Sequence, residues 1–368
     1  MSKARLYLSI LLVFAVAACG GDENSGDGAT FIALKRKSTT VAIPAPAPAP
    51  APVTASTGSL LPYIDNAKIP AAAVGYSTAR IKVETFDVPK QNTDGTGQFR
   101  FTCDFSHMSY DDPIVFPGKQ GATHLHTFFG NTGVNYASTQ ASIETSGNST
   151  CAGGTANRTG YWVPAVIDTK DGTPIKPSKI SVYYKSDFLP GVDTKPYPAG
   201  LRMIAGDMKS TGPQVGTDWG CSAPDGTEFV QGATSIPANC PAGYTIIMTI
   251  EFPTCWDGIN LDSPDHKSHM SFTVWNNDTR KIACPTSHPV QVPTLTEKIQ
   301  YTVAEAGSTA RWRLSSDNYS KDLPGGFSSH ADWFNGWDPK VQDIWLKNCI
   351  QAARDCHGFL LGDGTTLY

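Results

Sequence analysis

Between residues 79 and 316, apolar residues recur in short runs broken by Gly, Pro, Asp and Asn, the punctuation of a β-rich chain. Nine runs read as strands: "ARIKVETFDV" (79–88), "QFRFTCDFSH" (98–107), "HLHTFFG" (124–130), "GYWVPAVID" (160–168), "KISVYYKSD" (179–187), "YTIIMTIEF" (244–252), "HMSFTVW" (269–275), "KIQYTV" (298–303) and "ARWRLSS" (310–316). In the fifth, Ile180, Val182 and Tyr184 alternate with Ser181 and Tyr183, which implies one packed face and one wet face. One segment has helical spacing. "DPKVQDIWLKNCIQAARDC" (338–356) opens with Asp338 as a cap and Pro339 in the first turn, and puts Val341, Ile344, Trp345 and Asn348 on one stripe. The pattern predicts a mainly β chain: an antiparallel β-sandwich-like single domain over residues 59–368, with long loops and a C-terminal helix.

The N-terminal pattern differs. "MSKARLYLSILLVFAVAACGG" is a basic start, an apolar run too short to span a bilayer, and a small-residue exit, as in an export signal over residues 1–18. Val16-Ala17-Ala18-Cys19 resembles a lipobox, which makes Cys19 a lipidation site and predicts a membrane-anchored protein at the cell surface or in the periplasm. Residues 19–58 read as a linker. Within it "PAPAPAPAP" (44–52) favours extended polyproline II, roughly 28 Å at 3.1 Å per residue.

Charge and cysteine content narrow the class. The formal charge of −4 becomes −6 once Lys3 and Arg5 leave with the export segment, and no basic tract remains to bind nucleic acid. Eight cysteines follow Cys19, an even number that suits disulfides in an exported chain. Sequence proximity favours Cys221–Cys240, Cys255–Cys284 and Cys349–Cys356, which leaves Cys103 with Cys151. No CxxC, HExxH, Gly-rich phosphate loop or nucleophile elbow occurs.

Histidine placement is the main chemical signal. In "GATHLHTFFGN" (121–131), His124 and His126 are two residues apart, so on a strand both rings project to one side. Acidic and histidine residues also gather in "HMSYDDPIVFPG" (107–118), in "CWDGINLDSPDHKSHM" (255–270) and in "SSHADWFNGWD" (328–338). These stretches hold six of the eight histidines, so a shared site competes with the simpler reading of histidines bonded to backbone.

The blocks "DDPIVFPGKQGATHLHTFFG", "LRMIAGD", "FPTCWDGINLDSPDHKSHM", "CPTSHPVQVP" and "HADWFNGWD" occur in this order over residues 100–350, and together resemble the domain-of-unknown-function family 1996. That resemblance implies a secreted protein, in a family sometimes found beside carbohydrate-binding modules, and so an extracellular polysaccharide as partner. The family carries no assigned activity.

The candidate pocket comprises His124, His126, Asp265, His269, His330 and Asp332. Asp265 and Asp332 are the carboxylate pair for a glycan-cleaving hydrolase, and a histidine would be the base of a lyase. Trp256, Trp333 and Trp337 are candidate sugar-stacking residues, with core packing as the competing role. A non-catalytic carbohydrate-binding or wall-adhesion module is the second class of function. The third is a metal site, with His124, His126 and His269 holding zinc or copper.

Overall fold

The computed structural model describes residues 63–84, 88–317 and 323–368. The export segment, Cys19 and the linker to residue 58 lie outside the described residues.

Twelve strands build two sheets. They are β1 Gln98–Cys103, β2 Phe105–Ser109, β3 His126–Gly130, β4 Gly160–Pro164, β5 Lys179–Lys185, β6 Arg202–Gly206, β7 Thr217–Ser222, β8 Glu228–Ala233, β9 Thr245–Glu251, β10 Thr294–Thr302, β11 His330–Phe334 and β12 Asp355–Cys356. One sheet runs β8-β7-β9-β10-β5-β1-β12, and the other runs β2-β3-β4-β11-β6. All pairs within them are antiparallel except β1–β12, where Gln98 meets Asp355 in parallel. Smaller two- and three-stranded ribbons complete the chain. The antiparallel sandwich expected from the sequence is the architecture that forms.

Four strands of the seven-stranded sheet, β1, β5, β9 and β10, were legible in the sequence, and β5 and β9 show why. Along β5 and β9 buried residues alternate with half-buried ones, so Ile180, Val182 and Tyr184, with Ile246, Met248 and Ile250, face the core. Tyr161, Val163, Met203, Ala331 and Trp333 of the second sheet pack into that same core. The second sheet is covered on its other face too. Phe128, Trp162 and Phe334 pack there against Ile114, Val134 and Ile143 of the chain between β2 and β4. Ile143 belongs to α1 (Gln140–Thr145), whose start is fixed by a capping box between Thr139 and Ser142. Strands β3, β4 and β11 are therefore buried at every position.

Two expectations of extent are corrected. The C-terminal helix is α-helical only over α2 (Pro339–Trp345), where the Asp338 side chain accepts from the Lys340 and Val341 amides. It continues as a π-helical turn over Leu346–Ile350, and Ala353 at φ 53° then reverses the chain toward β12. The Cys349–Cys356 bridge spans that reversal and is incompatible with a straight helix through both cysteines. Of the strand expected at residues 79–88, the described residues form a strand at Ile81–Val83, paired with Thr365–Leu367.

All four disulfides join the cysteines that sequence proximity paired: Cys103–Cys151, Cys221–Cys240, Cys255–Cys284 and Cys349–Cys356. The first closes a separation of 48 residues, a constraint on the unfolded chain worth about 4 kcal/mol in the loop-entropy picture. It also ties β1 to the segment covering the second sheet.

Candidate metal centre

On the covered outer face of the five-stranded sheet, β3 contributes His126 and β11 contributes His330 and Asp332. Strand parity fixes this: Phe129, Ala331 and Trp333 face the core, so His126, His330 and Asp332 face the other way. Strands β3 and β11 flank β4, two strand spacings of about 10 Å in all. The imidazoles lean across that gap, and the His126 and His330 ring centroids are 5.7 Å apart. His124, just before β3, completes the group at 4.2 Å from His126 and 5.0 Å from His330 between centroids. The expected same-side approach of His124 and His126 is realised.

Hydrogen bonding fixes which nitrogens carry lone pairs. His126 Nδ1 lies 3.1 Å from the Asp111 carbonyl oxygen, and His330 Nδ1 lies 2.8 Å from that of Ser328. A carbonyl only accepts, so both Nδ1 atoms carry the proton and both Nε2 atoms are bare. The Nε2 atoms of His124 and His330 are 3.2 Å apart. Without an ion, His124 must donate that bond. With one, the spacing suits two ligands, since nitrogens about 2.05 Å from one tetrahedral ion lie about 3.3 Å apart. His126 Nε2 is buried and has no hydrogen-bond partner.

Two carboxyls adjoin the histidines. Asp332 is 1 % exposed, and neither of its oxygens has a partner. Asp112, in the covering loop, accepts from the Ile114 and Val115 amides at 2.9 Å each. One ligand atom each from His124, His126 and His330, and likewise from Asp112, His126 and Asp332, lie within 4.8 Å of one another. Together these residues could hold a cation with a nitrogen-rich, part-carboxylate shell.

Burial governs the protonation of this cluster. It drives His126 down to about 3 and His330 to about 4, with the His330 ring adding to the first shift and the Lys267 charge to the second. His124 is also held well below the ordinary histidine value by burial and its two neighbours. The imidazoles are thus neutral, the form that binds metals. Burial pushes Asp112 up to about 6 and Asp332 well above the usual carboxylate range, the latter reinforced by Asp112.

Other expected members lie elsewhere. His269 is not a partner of His124 and His126: its Nε2 donates to the Arg202 carbonyl oxygen at 2.7 Å, and its Nδ1 meets Ser263 Oγ at 2.9 Å. His330 takes its place because β11 adjoins β4 in the sheet. Asp265 is committed to its own turn, where Oδ1 accepts from Ser263 Oγ, Ser268 Oγ and the Lys267 and Ser268 amides. All these bonds are local, and Asp265 is not among the carboxyls that gather with the histidines. Trp333 and Trp337 are 0 % and 3 % exposed and both donate to Tyr184 Oη, so neither offers a face to a sugar. Trp256 is half-buried, with its indole nitrogen donating to the Asn260 carbonyl oxygen. His107 stacks on Phe128 at 4.6 Å and meets the Val134 carbonyl oxygen, a packing role. Asp112 was visible in the sequence only as one of the acidic residues of the stretch 107–118.

Fold and site together define a disulfide-braced β-sandwich carrying a buried histidine–carboxyl cluster that is suited to a metal ion. The chain belongs to the family described as Domain of unknown function (DUF1996), which matches residues 112–337, more than half of its length. Every residue of the cluster lies in that span. No curated protein and no solved structure matches the chain.

Proposed function

We propose that the protein is a metalloprotein whose centre holds a zinc- or copper-class ion on His124, His126 and His330, with Asp332 as the carboxylate ligand. One observation carries this reading: the bare, inward-facing Nε2 of His126 and both oxygens of Asp332 are buried without any protein partner. Leaving such groups unsatisfied costs about 1–3 kcal/mol each, and one cation satisfies them together. His124 is half-buried rather than sealed, which leaves a side open to ligand, as in catalytic rather than structural sites. The reading is therefore of a metal-dependent enzyme, with extracellular polysaccharide as its substrate and a lipid anchor at Cys19 as its tether. The polysaccharide rests on the family's secreted setting.

Elemental analysis of protein purified without chelators tests the centre. The expected result is about one zinc or copper per chain, lost in His330→Gln with the fold intact. A folded wild type that takes up neither ion when offered one equivalent overturns the reading. A glycan panel run with metal-loaded and chelator-treated protein tests the substrate, and turnover in neither form removes it. Cys19→Ala should move the protein from the membrane to the soluble fraction.

A second reading has its own observation. Asp112 and Asp332 are two buried carboxyls beside His126, a pairing in which burial and like charge disfavour ionising both, so that one keeps its proton. In that case acid–base catalysis proceeds without metal, and activity survives chelation.

A further inference from the structure

The turn that carries Asp265, His266 and His269 has a purpose that none of these residues serves alone. Asp265 gathers the Lys267 and Ser268 amides, and His266 Nδ1 meets Asp262 Oδ1 at 2.9 Å. His269 is pinned to Arg202, the first residue of β6. His266 is held at φ 57°, a left-handed conformation that non-glycine residues keep only when their surroundings impose it. The residue this rigid turn presents is Lys267. Its Nζ donates to the Gly206 carbonyl oxygen at 2.5 Å, and Gly206 is the residue that faces His330 across the β6–β11 ladder. The ammonium therefore sits one residue pair from a proposed metal ligand.

Lys267 is exposed, and among the described residues no carboxylate lies within ion-pair distance of it. Asp207, the nearest acid in sequence to Gly206, instead accepts from the Lys209 amide. An ammonium has three donors, and the Gly206 carbonyl uses one. Gly206 pairs with His330, and Asp332 lies two residues further along β11, so the ammonium is held on the strand neighbouring both. An unpaired cation held rigidly beside a bound metal cation is electrostatically unfavourable unless an anion lies between them.

Resting on the metal reading, we propose that Lys267 and the open side of the metal together bind an oxyanion group of the substrate, a carboxylate or a phosphate or sulfate ester. The metal takes one oxygen, and the ammonium takes another or the same one. Lys267 is thus a specificity-determining residue, and the neutral portion of the substrate extends over the exposed turn.

The test uses the full-length protein loaded with Co(II), whose visible absorption reports changes in its ligands, titrated with acetate, with phosphate and with neutral acetamide. Wild type should show a saturable spectral change with acetate or phosphate and none with acetamide, and the tighter of the two anions assigns the oxyanion class. Lys267→Gln keeps a donor for the Gly206 carbonyl but loses the charge. It should weaken the anion at least tenfold while Co(II) binds as tightly as before or more tightly. Lys267→Arg should retain anion binding, and Lys267→Met provides a second charge-free variant should the amide disturb the turn. Equal anion binding by wild type and both charge-free variants, within twofold, overturns the proposal, as does a Co(II) spectrum that no anion alters. Failure of wild type to take up Co(II) overturns the metal reading and this inference with it, so the two failures are distinguishable.

Discussion

Metal uptake at pH 7 should release about one proton from the wild type and about none from Asp332→Asn. The count follows from the protonation of the cluster. His126 and His330, at about 3 and about 4, are already neutral at pH 7, and His124 is held well below its ordinary value. The three imidazoles therefore give up nothing. Asp112, pushed up to about 6, keeps its proton in about one molecule in ten at pH 7. Asp332 lies well above the usual carboxylate range because it is buried without a partner and beside Asp112. It must lose its proton to ligate, and that proton is the one released. Affinity should accordingly rise with pH wherever Asp332 still holds its proton, by at most about tenfold, or about 1.4 kcal/mol, per unit. The slope should steepen below pH 6 if Asp112 yields its proton as well. Calorimetric titration of chelator-treated protein with zinc, in buffers of different ionisation enthalpy, measures the count directly. Release of no proton by wild type would refute Asp332 as a protonated ligand. Release of two or more would refute the claim that burial keeps the histidines neutral.

Further outcomes separate architecture from chemistry. His269→Gln should cost about 1 kcal/mol in urea denaturation, through its bond to the Arg202 carbonyl, and leave metal content unchanged. His126→Gln should do the reverse, and a shared phenotype would mean that the two histidines do the same job. Glu297 on β10 points into the inter-sheet core with both oxygens unpartnered, and burial raises it well above its ordinary value. A carboxyl raised in the folded state contributes stability at low pH that is lost as pH rises. Glu297→Met should therefore stabilise the protein at pH 7 and by progressively less toward pH 5. A destabilised variant would reveal a partner for that carboxyl. Alkylation of the unfolded, unreduced protein should find no free thiol among the eight cysteines after Cys19, and two or more would break the disulfide assignment.

The amino-acid pattern alone determined the β-rich class, the disulfide pairing and the family, because each leaves a local or near-local mark. Strand β5 alternates since one of its faces meets water, and the linked cysteines of three bridges are under 30 residues apart. His124 and His126 were legible as a pair because two residues is the period of a strand. What held them together in space was not legible. Strand β11 has no alternation, since the segment between β2 and β4 covers its outer face while the seven-stranded sheet covers its inner one. Its five residues read as a loop, so the sequence could name His330, Asp332 and Trp333 but not divide them. Tertiary structure divided them by parity: His330 and Asp332 went to the site, Trp333 to the core. It also replaced His269 with His330, and brought in Asp112 and Lys267 from loops distant in sequence. Periodicity reports burial only where water contrasts with protein. A site buried beneath a third layer, with ligands from three separate segments, has no such contrast, so only the packing of the sheets decides which side chains meet.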